Sequence, residues 1–139
     1  MFTRRFFITT VVASLTMAPT ITRAAAPLDY TPGLVDQLLA EGKTVFLDFA
    51  ADWCSTCKVQ ERHIASLTAA NSAYQENITF VRVDWDDYGR SDLVKRLNVP
   101  RRSTLVALKG DQEIGRVVAN TSGKVIQNLM DAALAAATA

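Results

Sequence analysis

Between Leu34 and Leu134 the spacing of apolar positions changes period several times. Leu34, Leu38 and Leu39 share one face of a helix that Thr31-Pro32 would open and Gly42 would close. Thr44–Ala50 (TVFLDFA) is a nearly unbroken apolar run, the pattern of a strand covered on both faces. From residue 54 to 70 the spacing turns helical, with Val59, His63, Leu67 and Ala70 on one side. Ile78–Asp84 (ITFVRVD) alternates as a strand, and residues 91–97 predict a short helix capped by Ser91. Residues 104–108 and 113–119 flank Lys109-Gly110-Asp111-Gln112 in the pattern of a hairpin. From Ser122 a last helix would bury Ile126, Leu129, Met130 and Leu134. The order αβαβαββα predicts an α/β fold with a central mixed β-sheet flanked by helices.

The residues ahead of this region follow a different logic. Arg4 and Arg5 lead into residues 6–21, an apolar but Thr-rich run, and small residues follow at Ala24-Ala25-Ala26. A positive start, a short apolar stretch and a small-residue exit are the parts of an export signal. Thr3-Arg4-Arg5-Phe6-Phe7 resembles the twin-arginine type, in which Ser/Thr-Arg-Arg-x-Phe precedes the apolar stretch. A bilayer span takes about 20 apolar residues. This run is shorter and is broken by Thr9, Thr10, Thr16 and Pro19, so no stable span is expected in the mature protein. The expected division is an export signal over 1–26 and one domain over 27–139, placed in the periplasm.

Composition narrows the function classes. A chain of 139 residues that is 49% apolar and has six Gly and four Pro makes one domain and is not disordered. Its formal charge is +1, and removing 1–26 takes away three arginines and no acid, leaving −2. That balance carries no electrostatic footprint for nucleic acid. Two cysteines make neither a disulfide-dense mini-protein nor a four-thiolate zinc site.

Those cysteines lie in Trp53-Cys54-Ser55-Thr56-Cys57-Lys58, at the start of the second predicted helix. Two residues of separation let the sulfurs close a disulfide within one turn. The first sulfur sits where unpaired N–H groups and the helix dipole stabilise a thiolate, which makes Cys54 the attacking sulfur. Cys57, one turn deeper, would resolve the mixed disulfide. No His follows Cys57, which excludes c-type haem attachment, and the absence of a second CxxC excludes a zinc ribbon.

The stretch from Phe46 to Lys58, Phe-Leu-Asp-Phe-Ala-Ala-Asp-Trp-Cys-Ser-Thr-Cys-Lys, resembles the active-site segment of thioredoxin-like proteins, and the order of elements matches from about Leu34 to Leu134. Ala51-Asp52-Trp53-Cys54 and Leu97-Asn98-Val99 are most similar to the C-terminal periplasmic domain of the membrane thiol:disulfide interchange reductase. The resemblance implies a thioredoxin-like fold and an exported thiol–disulfide oxidoreductase. It would need no cofactor, act as a monomer on protein thiols and disulfides, and exchange electrons with a redox partner protein. It makes Cys54 the nucleophile and Cys57 the resolving thiol. Asp48, six residues before Cys54, becomes a buried carboxylate whose desolvation raises its pKa, letting it accept a proton from the resolving thiol. Leu47 and Phe49 face away from Asp48, so alternation alone also permits a solvent-facing carboxylate. Trp53, Ser103 and Thr104 are implied to line the substrate groove, with Trp53 either shielding the sulfurs or lying half-buried.

The chain departs from the family at three places. Where the family has a cis-proline before a Thr, this chain has Ser103 before Thr104, with Pro100 three residues too early. A non-proline cis bond costs about 2.5–4 kcal/mol, so the bond before Ser103 is expected to be trans. A proline restored at 103 would raise activity on generic disulfides if the fold accepted the cis bond, and lower stability if it did not. Ala119 falls where the family often has a groove glycine, and Phe80 where its best-known members pair a Lys with the buried acid.

Other candidates carry less. His63 lies six residues after Cys57, at ~1.5 Å of rise per residue too far along the helix to share a metal with it. It is expected at a core edge or on the surface. Asp84, Asp86 and Asp87 lack the twelve-residue loop and terminal Glu of a calcium hand and predict a solvated acidic loop. Arg101-Arg102, beside the CxxC face, would steer an acidic partner. No resident metal is expected. The alternative to disulfide exchange is a module in which the same two cysteines hold or deliver a soft ion such as copper.

Overall fold

The computed structural model describes residues 25–139. The expected export signal therefore lies outside the described residues, apart from Ala25 and Ala26. Five strands form one sheet: β1 (Leu28–Asp29), β2 (Thr44–Ala50), β3 (Ile78–Asp84), β4 (Thr104–Lys109) and β5 (Gln112–Val118). Their order is β1-β3-β2-β4-β5. β1 and β2 run parallel to β3, while β4 pairs antiparallel with β2 and β5 with β4. The mixed sheet expected from the sequence is present, with β2 at its centre.

Both faces of β2 are covered, as its unbroken apolar run requires. Val45, Leu47 and Phe49 enter one core with Val81, Val83 and Val106. Helices α1 (Leu34–Ala40) and α5 (Asp92–Arg96) close it through Val35, Leu38, Leu93 and Val94. Phe46 belongs to the opposite core with Leu105 and Ala107. There α2 (Ser55–Ala70), α3 (Ala73–Asn77) and α6 (Gly123–Thr138) contribute Ile64, Tyr74, Ile126 and Met130. Side chains alternate along a strand, so Asp48 projects to the Phe46 side, beneath α2. Among the described residues no helix is long and apolar enough to cross a membrane.

Several sequence expectations are corrected. β1, α3 and the single turn α4 (Trp85–Tyr88) were not legible. The stretch read as an acidic loop is α4 itself, and Asp84 caps it by accepting from the N–H groups of Asp86 and Asp87. Helix α1 is entered through Gly33, at φ 90°, a left-handed conformation that glycine adopts without strain. The expected capping residue, Thr31, instead accepts the Leu34 N–H on its carbonyl. The buried stripe of α2 is Cys57, Gln60, Ile64 and Thr68, rotated from the expected Val59, His63, Leu67 and Ala70. Two of its members are polar, and each has partners that an apolar count cannot register. Ser91 caps α5 as expected, Ser122 is the cap of α6, and Ala133, not Leu134, is the last fully buried residue of α6.

Candidate active site

The site forms where β2 ends and α2 begins. Cys54 is the N-cap of α2, and its sulfur accepts the Cys57 N–H at 3.2 Å. That bond occupies one of the donors that a helix start leaves unpaired. Cys54 and Cys57 are joined as a disulfide, with Cα atoms 5.3 Å apart. Both sulfur-bearing residues are buried, in a small cluster with Ala50 and Ala51, against which Trp85 packs. Trp53 is not half-buried: it is 60% exposed, its Nε1–H donates to the Asp86 carboxylate, and the Arg102 guanidinium lies 4.3 Å from its ring centroid.

Ser103 faces the disulfide, as its alignment with the family proline requires. Its Oγ lies 3.1 Å from the sulfur of Cys54 and 3.1 Å from that of Cys57. The residue is fully buried, and no peptide bond among the described residues is cis. Its backbone is held on every side. The Ser103 N–H donates to the Phe49 carbonyl at 2.7 Å, and its carbonyl accepts from the Ala119 N–H at 2.8 Å and from Gln60 Nε2 at 3.0 Å. Ser103 and Ala119 both have positive φ, 61° and 54°, in a region non-glycine residues rarely occupy. The hydrogen bonds that join the end of β2, α2 and the residue after β5 over-determine this strained loop.

Thr104, expected in the substrate groove, is turned inward instead. It is fully buried in β4, and its Oγ1 donates to the Arg101 carbonyl at 2.7 Å, which closes the loop from below. Its side chain offers no surface to a substrate. The proline expectation resolves the same way. Proline at 103 removes the donor to Phe49 and locks φ near −65° where the chain holds 61°. We expect Ser103→Pro to lose about 3 kcal/mol of stability, seen as a lower urea midpoint. An unchanged midpoint would mean the loop can be rebuilt around a ring at this position.

Asp48 settles on the buried side of its two readings. It is 9% exposed, and one carboxylate oxygen, Oδ1, has no hydrogen-bond partner. It lines a cavity of about 60 Å³ with Phe46, Glu61, Ile64 and Phe80, space for a water or two. Burial pushes its pKa up to about 7, the Glu61 carboxylate adds to the rise, and the Arg82 guanidinium opposes it. Phe80 stands in the cavity wall and stacks on Phe46 at 5.3 Å, so it supplies no cation. The cation comes from Arg82, the register partner of Asp48 across β2 and β3. Arg82 also pairs with Asp52, Glu61 and Asp84. Gln60, Glu61 and Arg82 are the site residues that sequence reasoning missed. Their one signal was polarity at positions where an element faces its neighbours.

His63 lies at a helix contact, half-buried. A Cβ at Gly123 would meet its ring at 2.9 Å, so a side chain there would push α6 away from α2. Among the described residues no group of three or more metal-ligating side chains occurs.

Comparison with known proteins gives one consistent result. The thioredoxin family model matches residues 31–132. The chain is 34% identical over 84 residues to Thioredoxin H5 of Oryza sativa subsp. japonica, covering 60% of this chain and 58% of that protein. It is also 34% identical over 84 residues to Thioredoxin-2 of Saccharomyces cerevisiae, covering 60% and 75%. A thiol:disulfide interchange protein DsbD from a Pseudomonas strain is 30% identical over 79 residues, 55% of this chain and 14% of that one. Among solved structures, that of Trxlp from Edwardsiella tarda superposes with a TM-score of 0.65 at 28% identity, covering 76% of this chain and 98% of the other.

Proposed function

The chain belongs to the thioredoxin family, and from that premise we propose that it is an exported thiol–disulfide oxidoreductase acting on protein disulfides in the periplasm. The observation that carries the reading is the pair Cys54–Cys57, joined as a disulfide at the N-terminus of α2 with a carboxyl of raised pKa, Asp48, on the adjacent strand.

In the reducing direction, the Cys54 thiolate attacks one sulfur of a substrate disulfide. A mixed disulfide forms and the other substrate sulfur leaves as a thiolate. Asp48 takes the proton of the Cys57 thiol, a transfer suited to a carboxyl titrating near pH 7. The Cys57 thiolate then attacks Cys54 Sγ. The second substrate sulfur leaves, the substrate is reduced by two electrons, and the Cys54–Cys57 disulfide holds the oxidising equivalents until a redox partner protein removes them. Run backwards, the same steps oxidise a substrate dithiol.

The competing reading gives the two sulfurs to a soft cation such as Cu(I). The third group within reach of both is the Ser103 alcohol oxygen, a hard donor ill-matched to such an ion. This favours disulfide exchange.

Export rests on the amino-terminal pattern. If the adjacent arginines are read as a pair, replacing Arg4 and Arg5 by Lys keeps the charge but leaves precursor in the cytoplasm. Fractionation followed by immunoblotting checks this. Normal export of the double-Lys protein would assign the signal to the general secretory route.

A further inference from the structure

We propose that the Ser103 hydroxyl is a catalytic hydrogen-bond donor that serves the two cysteine sulfurs in turn. It would stabilise whichever of them carries the negative charge. The inference rests on the disulfide-exchange reading above and on one geometric fact, the placement of a single buried oxygen 3.1 Å from each sulfur.

A serine hydroxyl donates one hydrogen bond and accepts others, and its O–H rotates to suit. In the reduced protein the O–H points to the Cys54 thiolate while the oxygen can accept from the Cys57 thiol. When a donor thiolate attacks Cys54 Sγ of the disulfide, the S–S bond breaks and Cys57 leaves as the thiolate. The O–H then turns to Cys57, whose sulfur lies 3.1 Å away in the disulfide form. The position is held by the Phe49, Ala119 and Gln60 hydrogen bonds, and the site is shielded from water. A hydrogen bond to a charged group in such a place is worth more than one to a neutral disulfide sulfur. The serine therefore favours the reduced, ionised pair.

The groups around the sulfurs leave this job to Ser103. Ala50, Ala51 and Trp85 pack on the pair and carry no charge. Asp48 lies on β2 and opposes a thiolate when ionised. Arg102, next to Ser103, is turned onto the Trp53 ring. The Cys57 N–H, donating to Cys54 Sγ at 3.2 Å, is the other fixed donor, and it serves only the first sulfur.

The test compares Ser103→Ala and Ser103→Gly with the parent protein, each reduced and shown to be folded by circular dichroism. Glycine accepts the positive φ of this position without strain, so its variant keeps the test open if alanine destabilises the loop. The pH dependence of Cys54 alkylation by iodoacetamide is followed by peptide mapping. Both variants are expected to move its midpoint up by about one pH unit, a tenfold loss of thiolate below the midpoint. Glutathione equilibration above both midpoints should give a potential more negative by about 30 mV, the same tenfold for a two-electron couple. An unmoved midpoint in either folded variant overturns the proposal, as does a shift in the alanine variant that glycine does not share. Alkylation requires no substrate. The proposal can therefore fail while the parent protein still reduces disulfides, and a parent inactive on disulfides would leave the hydroxyl effect measurable.

Discussion

Serine in place of Cys54 is expected to bring reduction of a protein disulfide down to the uncatalysed rate, with the fold intact. Cys54 is the sulfur at the N-cap of α2, where it accepts the Cys57 N–H and faces the Ser103 hydroxyl. The helix-start donor serves this sulfur alone, which favours a thiolate here over Cys57. A serine oxygen there is not ionised at neutral pH and makes no mixed disulfide. The side chain is nearly isosteric and sits in a small cluster, so little stability is lost beyond the missing disulfide. An insulin-reduction assay reads the loss directly, with circular dichroism confirming the fold. Turnover equal to the parent protein would remove Cys54 from the chemistry.

The second large effect is on stability, and it depends on pH. Asp48 titrates near pH 7 in the folded chain and near 3.8 when unfolded. A carboxyl raised in this way binds its proton more tightly folded than unfolded, so its stabilising contribution is fully present below pH 3.8. It declines as pH rises and is gone above about pH 7, where the fold carries a buried carboxylate facing Glu61 with only Arg82 to offset it. The difference in pKa corresponds to about 4 kcal/mol. Asp48→Asn is therefore expected to gain up to about 4 kcal/mol over the parent at pH 8 and much less at pH 4, as measured by urea unfolding at the two pH values. The same variant should slow release of the second substrate sulfur, because Cys57 loses its proton acceptor. A stability difference independent of pH would show that Asp48 is already ionised across this range.

Much of this architecture was legible before any coordinates. Thr44–Ala50 and Ile78–Asp84 match the observed strands, the first as an unbroken apolar run and the second through its alternation. The two cysteines and their place at a helix start followed from spacing, and the position of Ser103 opposite them followed from resemblance. What escaped was polar. Gln60 is buried because two backbone carbonyls, of Ser103 and Asn120, need its amide, and neither carbonyl can be foreseen from the helix that carries it. Asp84 was read as one of three solvated acids because its capping role depends on the chain turning directly after β3. Asp48 could not be placed from alternation, since the side to which it points is closed by the helix α2 and not by a neighbour on the strand. Trp85 packs on the cluster that holds both cysteines, while Trp53, adjacent to Cys54 in sequence, points outward to Asp86.

The central claim is that disulfide exchange begins at Cys54 and ends at Cys57, and trapping tests it most directly. Cys57→Ser and Cys54→Ser proteins, reduced and mixed in parallel with a protein disulfide, are resolved without reductant, and the captured species are mapped by mass spectrometry. The account predicts that Cys57→Ser accumulates a mixed disulfide through Cys54, because the resolving thiolate is missing, and that Cys54→Ser accumulates almost none, because Cys57 lacks the helix-start donor. Accumulation through Cys57 in the Cys54→Ser protein, at a level equal to or above that of its counterpart, would contradict it.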